Sequence, residues 1–192
     1  MCTRPGRISL LILYISCLLF PLYAYGQSQL YNVTNSTIYF HSNAPQGLIE
    51  ASTDKLAGVL DISKRAFSFK IYVPSFVGFN NALQREHFNE NYMESVIYPY
   101  AYYSGKIIEE IDLSKDGDFN VRTKGKLSIH GVEHQCIIKC HIVCKKGVIY
   151  VKSNFVVLLA DYDIKIPRIV CDKIAPEINV SVDAMLVPKP LS

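Results

Sequence analysis

The 192-residue sequence predicts an all-β fold: an antiparallel barrel of about eight strands with one short helix near residues 82–94. Three observations point there. Long segments alternate apolar and polar residues with period two, as strands with one wet face do. Turn-forming clusters separate those segments at regular intervals. A single stretch, from Leu83 to about Met93, is rich in Glu, Gln, His and Asn and shows no alternation.

Residues 1–26 read as a secretory signal peptide rather than as part of the fold. Arg4 and Arg7 supply the positive start, Ile8 to Leu22 the apolar run, and Ala24-Tyr25-Gly26 a small-x-small cleavage site. An uncleaved anchor is the alternative, but the run is short against the roughly 20 residues of a membrane span and lacks a basic stop-transfer flank. Cys17 follows Tyr14-Ile15-Ser16, which fits a lipobox poorly. Cleavage leaves residues 27–192 as one domain. It removes two arginines and no acid, so the formal net charge falls from +3 to +1. Four of the six cysteines remain: Cys136, Cys140, Cys144 and Cys171.

In chain order, Leu48 to Ser52 and Leu56 to Ile62 read as the first strands, closed by the Asp61-Ile62-Ser63-Lys64 turn. Phe67, Phe69, Ile71 and Val73 then alternate with Ser68, Lys70 and Tyr72. Asn81 with Gln84 three residues later has a capping-box spacing, which starts the helix. Pro99 forbids continuing it far. Ala101 to Glu109 is the next strand. Phe119, Val121, Leu127 and Ile129 share one parity beyond the Ser114-Lys115-Asp116-Gly117 turn. After Gly131 come Cys136, Ile138, Cys140, Ile142 and Cys144 on one face, with Gln135, Lys139 and His141 on the other. Val148 to Leu159 follows the Lys145-Lys146-Gly147 turn. The last strand holds Ile178, Val180, Val182, Ala184 and Leu186 on one parity. Long strands with one apolar face are most economically closed into a barrel, which removes exposed edges. A two-sheet sandwich is the runner-up.

Charge and motifs narrow the function classes. No basic block stands out, so nucleic acid is not an expected partner. His130-Gly131-Val132-Glu133-His134 matches a zinc-peptidase string, but that motif needs a helix. On a strand, residues four apart lie about 13 Å apart, too far for two ligands of one zinc. The expected reading is a turn entering a strand, with His130 hydrogen-bonded locally. The same spacing keeps Cys136, Cys140 and Cys144 from bridging one another; a disulfide to Cys171 stays open. His41, His87 and His141 are scattered, and no nucleophile–base pair is legible. The expectation is a protein that is not an enzyme and holds no metal.

Two stretches carry a family resemblance. One is Gln84-Arg85-Glu86-His87-Phe88, continuing to Tyr98-Pro99-Tyr100-Ala101-Tyr102-Tyr103. The other is Gly125-Lys126-Leu127-Ser128-Ile129-His130-Gly131-Val132. Together they resemble the YceI-like family, with its R-D-x-H-L, Y-P-x-A-x-F and G-x-L-x-I-H-G-V segments. Glu86, Phe88 and Tyr103 depart from the usual Asp, Leu and Phe. The aspartate usual before the first His-Ser is absent at His41-Ser42, and Asp161 to Pro167 replaces a usual R-x-D/E-F-G segment. The chain is therefore similar to a divergent branch.

The resemblance implies a lipocalin-like barrel in an exported, usually periplasmic protein. It also implies a polyisoprenoid or similar long apolar lipid as ligand, and no cofactor unless a bound isoprenoid lipid or quinone counts as one. The expected lumen lining is Phe67, Phe69, Ile71, Cys136, Ile138, Cys140, Ile142, Val180 and Val182, in which small Cys beside large Phe leaves room for an elongated chain. Phe76, Phe79 and Phe88 are the expected mouth or lid, with Arg85 or His87 meeting a polar head group. Expected partners are that lipid and, as an open option, a second copy in a homodimer. After signal cleavage the chain is not expected to be an integral membrane protein. Two alternatives stand: a filled barrel serving as an envelope stress or partner-interaction module, and an outer-membrane barrel. The latter needs a polar interior, which the apolar parity set opposes.

Overall fold

In this computed structural model, residues 29–45, 47–170 and 172–190 are described; the expected signal peptide of residues 1–26 and Cys171 lie outside them. Nine strand segments follow in order: β1 (Leu30–Ala44), β2 (Gly47–Thr53), β3 (Leu56–Asp61), β4 (Ala66–Tyr72), β5 (Tyr100–Ile107), β6 (Gly117–Ile129), β7 (Val132–Lys145), β8 (Val148–Leu158) and β9 (Glu177–Pro188). All pairings are antiparallel, and β1 pairs with β9 to close the sheet. The first part of β1 pairs with β3 and its last part with β2. β2 and β3 are therefore two halves of one stave, and the barrel has eight.

The expected strand number is met, but its membership differs. Leu48 to Ser52 and Leu56 to Ile62 are one stave, and β1 is a strand that alternation did not show. A bulge between Val33 and Asn35 is the reason. Tyr31 and Val33 face inward below it; Ser36, Ile38, Phe40 and Ser42 face inward above it. One extra residue reverses parity, so no single alternation runs through β1. The break at Asp54 and Lys55 does the same to its neighbour, where Ala51 and Thr53 give way to Leu56 and Leu60. The two reversals sit side by side, joined by Ser36 Oγ donating to the Asp54 carbonyl at 3.1 Å. Inward faces stay matched because both staves slip together.

The turns follow their residues. His130-Gly131 joins β6 to β7 and Lys146-Gly147 joins β7 to β8, all four with φ between 51° and 76°. Two left-handed residues are what a tight hairpin of type I′ requires. Asp61 Oδ1 accepts from the Ser63 and Lys64 amides, fixing the β3–β4 turn. The helix α1 (Ala82–His87) is capped by Asn81, whose Oδ1 accepts from the Gln84 amide at 2.9 Å. It continues as one wider turn over Phe88–Tyr92. Gln84 returns its side chain to the Asn80 amide rather than to that of Asn81.

All these hairpins leave two ends. The lower end is filled by Tyr31, Leu113, Val121, Cys144, Ile149 and Leu186. At the upper end lie the two long connections, 73–99 and 159–176. Glycines set the width between. Gly105 lies opposite both Phe67 and Gly125. A Cβ on Gly105 would stand 2.2 Å from the Lys124 carbonyl oxygen, and one on Gly125 2.9 Å from the Tyr103 ring. Gly105→Ala and Gly125→Ala are each expected to destabilise the fold by about 1–3 kcal/mol, read as a lowered urea midpoint with an unchanged slope.

Candidate functional site

The buried side chains form three clusters rather than one. The lower cluster is the floor described above. A second gathers Leu127, Val157, Tyr162 and Ile164. A third gathers Ile38, Ala51 and Phe76, with Phe40, Phe79 and Phe88 against them. Between the three lies a cavity of about 140 Å³ whose wall surface is apolar. Phe67, Phe69, Ile71, Ile138, Cys140, Ile142, Val180 and Val182 line it. Cys136 faces inward too, but it packs with the second cluster and is not on the cavity wall. Leu56, Ala101, Tyr103, Val151 and Phe155 also line it and were not named as lining from the sequence. Continued parity along the Ala101 and Val148 strands would have found most of them. Ile38 also lines it, and the β1 bulge hides it.

Polar groups in the wall are tied off. Thr123 Oγ1 donates to the Ile138 carbonyl at 3.0 Å, leaving it to accept from the Tyr103 hydroxyl at 2.8 Å. Ser153 Oγ donates to the Lys139 carbonyl at 2.8 Å. Burial pushes the Tyr103 phenol far above its ordinary range, so it stays protonated and uncharged. The Thr123, Tyr103 and Ser153 hydroxyls are thus satisfied by the wall itself and ask nothing polar of an occupant.

The connection 73–99 covers the upper end as a lid. Phe40 of β1 is its anchor: its ring lies 5.2 Å from Phe76, 6.1 Å from Phe79 and 5.4 Å from Phe88. Val77 exchanges two backbone hydrogen bonds with Ser52, extending β2 outward. Arg85 and His87 sit on the exposed side of α1. Arg85 Nη2 donates to the Pro74 carbonyl at 3.1 Å and borders an open surface groove with Phe79 and Glu86. None of the expected mouth or lid residues Phe76, Phe79, Arg85, His87 and Phe88 is among the residues lining the cavity.

His130 clasps the lid shut. Its bonds are long-range, not local as the sequence suggested. Nε2 meets Glu94 Oε2 at 2.7 Å, Nδ1 meets the Tyr162 carbonyl at 3.0 Å, and the ring stands edge-on to Tyr98 at 5.0 Å. One side chain on the β6–β7 hairpin thus holds both long connections. Both nitrogens face oxygen acceptors, and a doubly protonated ring satisfies both while a neutral ring donates to one. The Ala175 amide adds a second tie, donating to Ser42 Oγ at 2.8 Å.

Comparison with known proteins agrees with this architecture. The family model of the YceI-like domain matches residues 31–186. The chain belongs to the YceI-like family. No curated protein sequence matches it. Among solved structures it is similar to a polyisoprenoid binding domain from Saccharophagus degradans implicated in plant cell wall breakdown, at 16% identity and TM-score 0.71, over 83% of this chain and 98% of that one. It is also similar to Burkholderia cenocepacia BcnA, at 15% identity and TM-score 0.63, over 78% and 95%. The Campylobacter jejuni YCEI protein matches at 16% identity and TM-score 0.57, over 74% and 86%. These likenesses establish the fold.

In this YceI-like barrel the zinc-peptidase string dissolves into structure. His130 is the clasp, and His134 lies edge-on to the Tyr162 ring at 5.3 Å. Among the described residues no group of three or more His, Cys, Asp or Glu is placed to hold a metal ion. Cys136, Cys140 and Cys144 are free thiols, and burial pushes each above the ordinary thiol range. Thiolate is the reactive form, so a raised pKa leaves little of it near neutral pH. Iodoacetamide at pH 7.5 is expected to label these three at least about tenfold more slowly in the native protein than in urea, read by peptide mass spectrometry. His130→Ala or Glu94→Gln is expected to cost about 1–3 kcal/mol locally. Amide hydrogen exchange should accelerate over 88–99 and 159–164 while β6 to β8 stay protected.

Proposed function

We propose that this YceI-like chain is an exported protein that holds a slender apolar molecule of the polyisoprenoid class inside its barrel. The carrying observation is the apolar cavity of the barrel above its packed floor, whose lining residues Ile38, Ile71, Val180 and Val182 also pack in the phenylalanine cluster of the lid. The Saccharophagus degradans neighbour, a polyisoprenoid binding domain, supports the same reading. Export rests on the n-region, apolar run and small-x-small site of residues 1–26. No helix among the described residues is long and apolar enough to cross a membrane.

The physics is burial of tail surface, at about 25 cal/mol per Å² before ordering costs. A cavity of about 140 Å³ is comparable to one that accepts a single benzene ring, roughly 150 Å³. A longer tail enters by displacing lid side chains, of which Phe79 and Phe88 are only half buried. Phe76, Phe79 and Phe88 then act as the gate, and Arg85 and His87 on the outside of α1 are within the segment that a polar head group would meet on leaving it.

Mass spectrometry of the organic extract of the purified protein, with titration by prenyl alcohols of graded length, tests this. Affinity should rise with length and then level off. Ala101→Leu, which narrows the cavity from β5, is expected to weaken binding about tenfold, or 1.4 kcal/mol. Phe88→Ala should speed ligand exchange more than it lowers stability. The small volume favours one other reading, a filled barrel acting as a partner-interaction module in the envelope. Recovery of no apolar ligand, with no prenyl binding at any length, would decide for it.

A further inference from the structure

The formal charge hides a segregated surface. The outer face of β4 to β7 carries Lys70, Lys106, Arg122, Lys124, Lys126 and Lys139, all exposed. Two of its cross-strand pairs set like charges directly opposite: Lys106 against Lys124, and Arg122 against Lys139. Such pairs are destabilising in a bare sheet. Glu109 neutralises Arg122 at 2.8 Å and Glu133 neutralises Lys126 at 2.8 Å. Among the described residues no carboxylate is paired with Lys106, Lys124 or Lys139.

Apolar groups on the same face are graded along the barrel axis. Ile137 lies opposite Lys124 and is 58% exposed. Nearer the lid, Tyr72, Tyr100 and Tyr102 form an exposed ladder, ring centroids 5.5 and 6.0 Å apart, with Lys70 Nζ 5.1 Å over the Tyr100 ring. Beyond it, in the lid connection just before β5, Val96 is 92% and Ile97 65% exposed. From mid-barrel to lid, most of the lysines, with Ile137 among them, give way to the tyrosines with Lys70 and then to the aliphatic pair Val96 and Ile97. That is the order of phosphate layer, interface and acyl region in a bilayer, and it is not what an acidic protein groove presents.

We infer that this face docks the protein, lid end inward, on a bilayer that contains anionic phospholipid. Lysines meet the lipid phosphates, the tyrosines occupy the interfacial zone, and Val96 with Ile97 enters the acyl boundary. The inference needs no bound cargo, so it stands or falls apart from the lumen reading.

Co-sedimentation of the full mature protein with vesicles tests it. Binding is expected on phosphatidylcholine vesicles containing phosphatidylglycerol, weakened by 0.5 M salt and absent on phosphatidylcholine alone. The triple variant Lys106→Gln, Lys124→Gln, Lys139→Gln should lose roughly a hundredfold in affinity while keeping its circular dichroism spectrum and thermal midpoint. Val96→Ser with Ile97→Ser should weaken binding without changing its salt dependence. Equal binding by the triple variant, or binding indifferent to the anionic fraction, overturns the inference. Competition by soluble glycerol phosphate would show a discrete anion site instead, and binding to polyglutamate without binding to vesicles would show an acidic polymer as partner; each overturns it too.

Discussion

Pairing of β1 with β9, from Tyr31 opposite Pro188 to His41 opposite Asn179, closes the sheet on itself. Every other feature depends on that seam. An open sheet of these strands would expose two edges and leave its apolar face half wet. Closure puts Val182 opposite Ile38 and Val180 opposite Phe40, so the last strand reaches the first across the lumen's rim. At the seam the bulge at Thr34 is absorbed by a register shift against an unbroken β9. On the other side of β1 the break at Asp54 and Lys55 keeps β2 and β3 in step with it, so both neighbours present apolar faces inward.

The interior is filled from below and left narrow above. Side chains from five strands, together with Leu113, complete the floor. Higher up, Gly105 and Gly125 lie backbone to backbone, and the Tyr103 ring, 4.9 Å from that of Phe67, occupies the room Gly125 yields. Three hydrophobic clusters meet without merging, and the gap between them is the cavity. The lid is held by separable means: the Phe40 ring contacts, the Val77–Ser52 bridge and the His130 clasp. A closure built from several modest ties can open in part without unfolding the barrel.

The outer surface divides as sharply as the inside. A formal net charge of +3 over 192 residues suggests little long-range steering, yet the cations concentrate on β4 to β7. Only strand order makes this visible, since Lys106, Lys124 and Lys139 are separated in sequence and become neighbours through two registers.

Much of the fold was written in short-range pattern. Inward parity was right along β4, β6, β7 and β9, the Asp61, Lys146 and His130 turns fell where their residues put them, and Asn81 capped the helix as its spacing indicated. Those features depend on neighbours two to four residues apart, so the sequence alone determines them. Tertiary structure decided the rest. It made β1 a strand despite its broken alternation and merged β2 with β3 into one stave. It joined Phe40 to the lid and gave His130 its distant partners, Glu94 and the Tyr162 carbonyl. It also set the cavity at about 140 Å³. A bulge cancels local periodicity, a hydrogen bond across 36 residues leaves no local trace, and an internal volume is what remains after every distant side chain has been placed.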